Sequence, residues 1–266
     1  MTWRSGLVAA IAGILPMEGA GAQDYVDLEL VLAVDVSRSM DLEEQEIQRA
    51  GYAEAFRHPD VINAITAGLT GRIAVTYVEW AGSGTEETIV PWTIISNRGE
   101  SFAFAAALNG VATNRYSGTS ISAGLLYSAA LIESNRIEGM RRVIDVSGDG
   151  PNNIGAPIEP TREAVLARGI SINGLPIMLR PGGGFFSISQ LDIYYEDCVI
   201  GGQGAFVVPV RSVQEFPSAI RRKLIMEIAG REPDIILAAG GEAGRVKMDC
   251  LIGERLRQRW MNDYDR

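Results

Sequence analysis

Residues 27–39 read DLELVLAVDVSRS, and the first ten of them decide the fold. Leu28, Leu30, Val31, Leu32, Ala33 and Val34 leave almost no polar position between them. A strand with one wet face alternates apolar and polar side chains. A strand covered on both faces is apolar nearly throughout, which is the pattern of a central strand in a parallel sheet. The segment after it agrees. Residues 41–57 read as a helix in which Leu42, Gln45, Glu46 and Arg49 alternate with Ile47, Ala50 and Ala53, and His58-Pro59 ends it.

Further along, residues 72–80 form a second strand with Ile73, Val75 and Tyr77 on one face. A turn at 82–85 sends the chain back through an antiparallel edge strand at 87–92. Residues 101–109 are Ala-rich and helical, and 120–133 form a helix with Ile121, Leu125, Ala129 and Ile132 on one face. A short buried strand at 142–146, a helix at 159–168 and a strand at 170–178 follow. Gly202 then breaks the chain before a last strand at 205–210 and a helix at 213–229. Strands alternating with helices imply right-handed crossovers. The expectation is an α/β fold with a doubly wound, mostly parallel central sheet, helices on both faces and one antiparallel edge strand. With no internal repeat and no dividing linker, residues 23–230 read as one domain. Residues 180–186 are a Gly-rich loop. The tail 231–266 holds an apolar patch, Gly240-Gly241 and a basic segment at 255–260, read as an amphipathic helix packed on the domain.

At the N-terminus, Arg4 precedes a short apolar stretch at 6–15, Pro16 and Gly19 break it, and Ala20-Gly21-Ala22 has the small-x-small form of a signal-peptidase site. The apolar stretch is about half of the ~20 residues a membrane span requires. Residues 1–22 are therefore expected to be a signal peptide, leaving no transmembrane segment in the mature chain and a periplasmic or secreted location. In that oxidising setting Cys198 and Cys250, the two cysteines of the chain, read as one disulfide, the alternative being two buried free thiols. With 33 acidic and 24 basic residues the net charge is -9, which excludes nucleic acid and anionic membrane surfaces as partners for the body and suits cations or basic protein faces.

The chemistry gathers where the first strand ends. Asp35, Ser37 and Ser39 alternate, so one carboxylate and two hydroxyls turn to one point at the C-terminal edge of the sheet, the edge where open α/β sheets bind ligands. These are hard oxygen donors without sulfur or imidazole, a set for Mg²⁺, Mn²⁺ or Ca²⁺ rather than zinc or copper. Ser39 alone also reads as a cap for the helix at 41–57. Gly118-Thr119-Ser120 before one helix and Ser147-Gly148-Asp149-Gly150 after one strand would bring further oxygens to the same rim. Asp41 reads as a complement to the helix N-terminus, and Asp145 as a buried-strand residue bonding neighbouring loops.

Asp35-x-Ser37-x-Ser39, Thr119 opening a helix and Asp149-Gly150 closing an apolar strand resemble, in order and spacing, the metal-ion-dependent adhesion site of von Willebrand factor A domains. The resemblance covers residues 27–230 and is narrower still to an exported bacterial subgroup of that family, with residues 145–153 (DVSGDGPNN) as its strongest local signature. It implies that Ser37, Ser39 and Thr119 bind a divalent cation directly while Asp35 and Asp149 act mostly through water. A position would be left open for a carboxylate from a protein partner. The function it implies is binding rather than catalysis; no residue pattern signals an oligomeric state, and a monomer is the expectation. Movement of the last helix, known in some relatives, is not signalled by any residue pattern here.

Two other readings compete. In a subtilisin-like serine hydrolase Asp35, His58 and Ser120 would form the triad, which requires the base within hydrogen-bond reach of the nucleophile. His58 lacks the glycine-rich surround of that family, and Ser37, Ser39 and Asp149 would have no role. The other is a metal-free structural α/β module, in which all five oxygen residues serve as caps and turn formers. A haloacid-dehalogenase phosphatase would need a carboxylate where Ser37 stands, and no Walker loop or G-x-G-x-x-G follows the first strand.

Overall fold

A computed structural model describes residues 24–109, 114–179, 186–230 and 246–264. The proposed signal segment 1–22, most of the Gly-rich loop and the patch around Gly240-Gly241 lie outside the described residues. In chain order the elements are β1 (Asp24–Asp35), α1 (Leu42–Arg57), α2 (Pro59–Thr66), β2 (Ile73–Trp80), β3 (Glu87–Ile95), α3 (Arg98–Leu108), α4 (Ile121–Ser134), β4 (Ile137–Gly148), α5 (Ile158–Leu166), β5 (Ser171–Pro176), α6 (Leu191–Tyr194), α7 (Phe216–Ala229) and α8 (Ile252–Tyr264). A π-helical turn, Tyr195–Val199, continues α6, and a 3₁₀ turn, Val213–Glu215, leads into α7.

The sheet runs β3-β2-β1-β4-β5, with β1 at its centre, parallel to β2 and β4. β5 is parallel to β4, and β3 is the antiparallel edge. The apolar run of β1 has the predicted cause: Leu28, Leu30, Leu32 and Val34 enter one core, Val31 and Ala33 the other. The first core lies under α1, α3 and α7, with Tyr52, Phe56, Phe104, Phe216 and Leu224. The second lies under α4, α5 and α6, and takes up Ile121, Leu125, Ala129 and Ile132 of α4 together with Trp80.

Several boundaries differ from the sequence reading. β4 starts at Ile137 rather than 142, since its polar first half pairs with Asp24–Glu29 of β1 while staying half exposed. His58-Pro59 ends α1 but also opens α2, with Pro59 in the first turn, where a missing N–H costs nothing. Residues 205–210 do not form a full strand. They follow β5 in parallel through isolated bridges, Gly174 to Val207 and Ile177 to Val210. Pro176 and Pro209 each remove a ladder donor there. Cys198 and Cys250 form a disulfide that joins the π-turn to the residues before α8. Among the described residues, no helix is long and apolar enough to cross a membrane.

Among the described residues Asp145 of β4 bonds no loop. Its Oδ1 lies 2.6 Å from Lys223 Nζ of α7, and the same ammonium contacts Glu227 one turn on. All three are buried, so two acids share one base between sheet and helix. Glu227 faces Asp145 and Arg141 on β4 and Asn173 on β5, and burial, reinforced by Asp145, pushes its carboxyl up to about 7. A raised folded-state pKa means that the folded chain keeps a proton the unfolded chain releases. Stability is therefore lost as pH climbs from 4.5 through 7. At about 1.4 kcal/mol per unit the loss is on the order of 3 kcal/mol. Glu227→Gln should flatten the stability profile across that window and exceed wild type at pH 8, read by urea unfolding at a series of pH values. A variant whose profile still falls as steeply would refute the assignment.

Candidate functional site at the C-terminal rim of the sheet

β1 delivers Asp35 to the rim fully buried, and the chain turns at once: Val36 N–H still bonds Trp80 (2.8 Å), while Met40 N–H closes back on the Ser37 carbonyl (3.2 Å). Asp35 Oδ1 accepts from the Ser37 N–H at 2.7 Å. Its Oδ2 is buried without a hydrogen-bond partner. Burial first, and then the nearby Asp149 carboxylate, push the Asp35 carboxyl well above the usual range.

Above Asp35 the hydroxyls connect. Ser37 Oγ and Ser39 Oγ are 2.7 Å apart, and Ser39 Oγ donates to Asp149 Oδ1 at 2.6 Å. Ser39 is therefore not the helix cap. That role falls to Asp41, whose side chain accepts from Glu44 N–H (2.8 Å) while Glu44 accepts from Asp41 N–H (3.0 Å), a reciprocal capping box. Asp149 arrives from the end of β4. β1 and β4 approach so closely there that a Cβ on Gly148 would lie 3.0 Å from Asp35 Oδ2 and 3.1 Å from the Tyr195 hydroxyl.

Thr119 reaches the same rim on the loop before α4. Its N–H donates to Asn153 Oδ1 (3.0 Å) and its carbonyl accepts from Asn153 N–H (2.8 Å). Asn152 Oδ1 accepts from Ser122 N–H (3.1 Å) in the first turn of α4. Asn152 and Asn153 thus clamp the Thr119 loop to the end of β4, a role the sequence reading did not assign, although both stand inside its strongest signature. Ser120 caps α4, accepting from Ala123 N–H at 3.3 Å. Ser37, Ser39, Thr119 and Asp149 all line one cleft of about 460 Å³. The five predicted residues therefore meet at one end of the sheet, four on the cleft wall and Asp35 directly beneath.

The serine-hydrolase triad is not assembled. Asp35 and Ser120 are at the rim where α1 begins, whereas His58 sits past the far end of its sixteen residues, roughly 24 Å of helix away. There it caps α2 through Asp60 N–H, with Arg221 of α7 at 2.8 Å. Among the described residues no cluster of three or more His, Cys, Asp or Glu is placed to hold a metal. Hydroxyl oxygens dominate the rim instead.

The fold is that of von Willebrand factor A domains. Proximal thread matrix protein 1 (PTMP1) from the mussel byssus superposes with a TM-score of 0.57 at 13% identity over 78% of this chain and 49% of that one. The pilus adhesin SpaC from Lactobacillus rhamnosus GG gives 0.56 at 13%, over 76% and 30%. The von Willebrand factor type A protein from Catenulispora acidiphila gives 0.51 at 14%, over 76% and 43%. This chain spans half or less of each of them. The mussel protein is also known with a zinc-occupied MIDAS motif. No curated protein matches the sequence. Across residues 25–232, from β1 to just past α7, it matches one family model, and the chain belongs to the family described as protein of unknown function (DUF1194).

Proposed function

We propose that this chain is an exported, metal-dependent binding module that engages a protein partner through one divalent cation. The observation that carries the reading is the run of contacts from Ser37 to Ser39 to Asp149, each 2.6–2.7 Å, above a buried Asp35 whose Oδ2 has no hydrogen-bond partner. The half-buried Asp149 carboxylate repels the fully buried Asp35 beneath it. A buried acceptor left unmatched costs about 1–3 kcal/mol, and a cation at the rim would answer both. Ser37, Ser39 and Thr119 would hold it directly, with Asp35 and Asp149 acting mostly through water. Hydroxyl and water ligation fits Mg²⁺, with Mn²⁺ or Ca²⁺ as alternatives. When bound, the cation supplies a positive point for an anionic oxygen, here a partner's Asp or Glu. The protein's own residues orient it: the Asn153 clamp fixes Thr119, and the Asp41 cap frees Ser39 to face Asp149.

Other features support the same reading. The disulfide suits an oxidising compartment, in keeping with a signal peptide at 1–22 and a periplasmic or secreted location. The mussel relative's zinc-occupied motif and the adhesin among the structural neighbours favour a cation and a protein partner. The chain's one histidine stands at the wrong end of α1, which favours binding over turnover. We assign residues 23–230 to the module and 231–266 to an extension packed on it, in a monomeric protein.

Thermal unfolding after chelation tests this. The melting temperature should climb with added MgCl₂ as ligand linkage requires, and the climb should vanish in Ser39→Ala. A melting temperature unmoved by Mg²⁺, Mn²⁺ and Ca²⁺ rejects the proposal.

A further inference from the structure

The cleft at the rim has a second wall that the five oxygen residues do not explain. It is apolar on the side of Met178, Leu179, Ile188 and Leu191, and it is closed by Phe186 and Trp260, whose rings meet edge to face at 5.9 Å. Trp260 comes from α8, some 110 residues beyond Asp149 in the chain. α8 also brings Arg257, whose guanidinium would lie 3.4 Å from a Cβ on Gly118, the residue before Thr119. No described carboxylate pairs with Arg257, and the exposed Arg38 lines the same cleft. Glu44 lines it too, but its carboxylate is held by the Asp41 N–H. Asp149 and Glu44 offset the two arginines at this mouth, so once the cation of the proposed site is counted the balance is positive and suits an anion.

The seat of α8 is specific to this position. The Cys198–Cys250 disulfide fastens the chain two residues before the helix begins. Asn152, which holds the first turn of α4 through its Oδ1, gives its Nδ2 to Glu254 Oε1 at 2.7 Å. Gly253 packs so tightly that a Cβ would stand 2.1 Å from the Asn152 carbonyl oxygen. The segment that carries Thr119's clamp therefore carries α8 as well.

We propose that α8 completes a composite peptide site in which an acidic residue of the ligand faces the cation position and Arg257, while a neighbouring large apolar residue enters the slot between Phe186, Leu191 and Trp260. This rests on the metal-dependent reading above and adds to it the chemistry of the ligand: an extended peptide with Asp or Glu beside Phe, Trp, Leu or Met. Charge complementarity selects the acid, since an oxygen of its carboxylate meets the guanidinium by a charge-assisted bond. The apolar slot sets the neighbour, because an aromatic anchor in a desolvated pocket is the usual centre of such recognition.

The test is a random-sequence peptide array probed with the full chain in MgCl₂, followed by solution affinities of the best peptides. Bound sequences should be enriched in an acidic residue adjacent to a large apolar one. Arg257→Gln and Trp260→Ala should each weaken binding at least tenfold. Both variants should keep the wild-type rise in melting temperature with MgCl₂, which shows that the fold and the cation site persist. If that rise is present but the variants bind as wild type does, or no peptides or only non-apolar ones are enriched, the composite site is wrong and the cation site stands. If wild type shows no rise with any divalent cation, the metal reading fails and this proposal with it.

Discussion

Lys223→Met is expected to cost the domain about 3–5 kcal/mol, the range for removing one partner of a buried ion pair. Lys223 is 1% exposed and is the only cation in salt-bridge contact with the carboxylates of Asp145 and Glu227 among the described residues. Methionine keeps the volume of the side chain and removes the charge, so packing loss contributes little. What remains is two carboxyls facing each other between β4 and α7, both already pushed upward by burial. Against a domain stability of roughly 5–15 kcal/mol this is a large fraction. The loss should be greater at pH 8 than at pH 5, because protonation relieves the repulsion. Urea unfolding followed by tryptophan fluorescence reads it. Replacing all three residues together, with Asp145→Leu and Glu227→Leu added, should recover most of the loss, since well-packed apolar groups commonly match a buried ion cluster. A single variant within about 1 kcal/mol of wild type would show that the cluster is far better solvated than its burial implies.

How much of this was readable from the chain depends on whether a residue's role is local. The centre of the sheet was, because burial on two faces imposes an apolar run that no polar residue interrupts from Leu30 to Val34. The helix face of Ile121, Leu125, Ala129 and Ile132 was readable for the same reason. The first half of β4 was not. Ile137–Arg142 is half exposed and carries charges, and only pairing with β1 makes it a strand. Nor was the helix at Leu191–Tyr194 with its π-turn, where four residues are too few to show a period and the disulfide supplies an anchor.

The rim divides in the same way. Asp35, Ser37, Ser39, Thr119 and Asp149 stand at ends of elements, so their positions announce themselves. Asn152 and Asn153 work through their side-chain amides on backbone groups of another loop, a relation that leaves no spacing in the sequence. Arg257 and Trp260 reach the cleft because α8 returns to it across more than a hundred residues. A reading of residues 255–260 as a packing helix identifies the element without its address. His58 shows the converse: a residue of suggestive type, placed by α1 at the end of the sheet away from every group it would need.

Asp35→Asn should separate a metal role from a structural one by moving two quantities in opposite directions. Asparagine is the same size, and its Oδ1 can still accept the Ser37 N–H that bonds Asp35 at 2.7 Å. Its amide would take the place of an Oδ2 that has no hydrogen-bond partner. The substitution also removes a buried negative charge that burial and Asp149 already disfavour. In the absence of metal the variant should therefore unfold at the wild-type temperature or above it. With MgCl₂ the ordering reverses. At a concentration about 100-fold above its Kd a ligand adds roughly 2.7 kcal/mol to the wild type, and the variant, short of one of the two carboxylates behind the site, should gain almost nothing. A carboxylate kept only for packing or for the turn at Ser37 predicts otherwise: lower stability in chelator and an undiminished response to magnesium. Differential scanning calorimetry of both proteins, in chelator and in MgCl₂, distinguishes the two outcomes by the sign of a single difference.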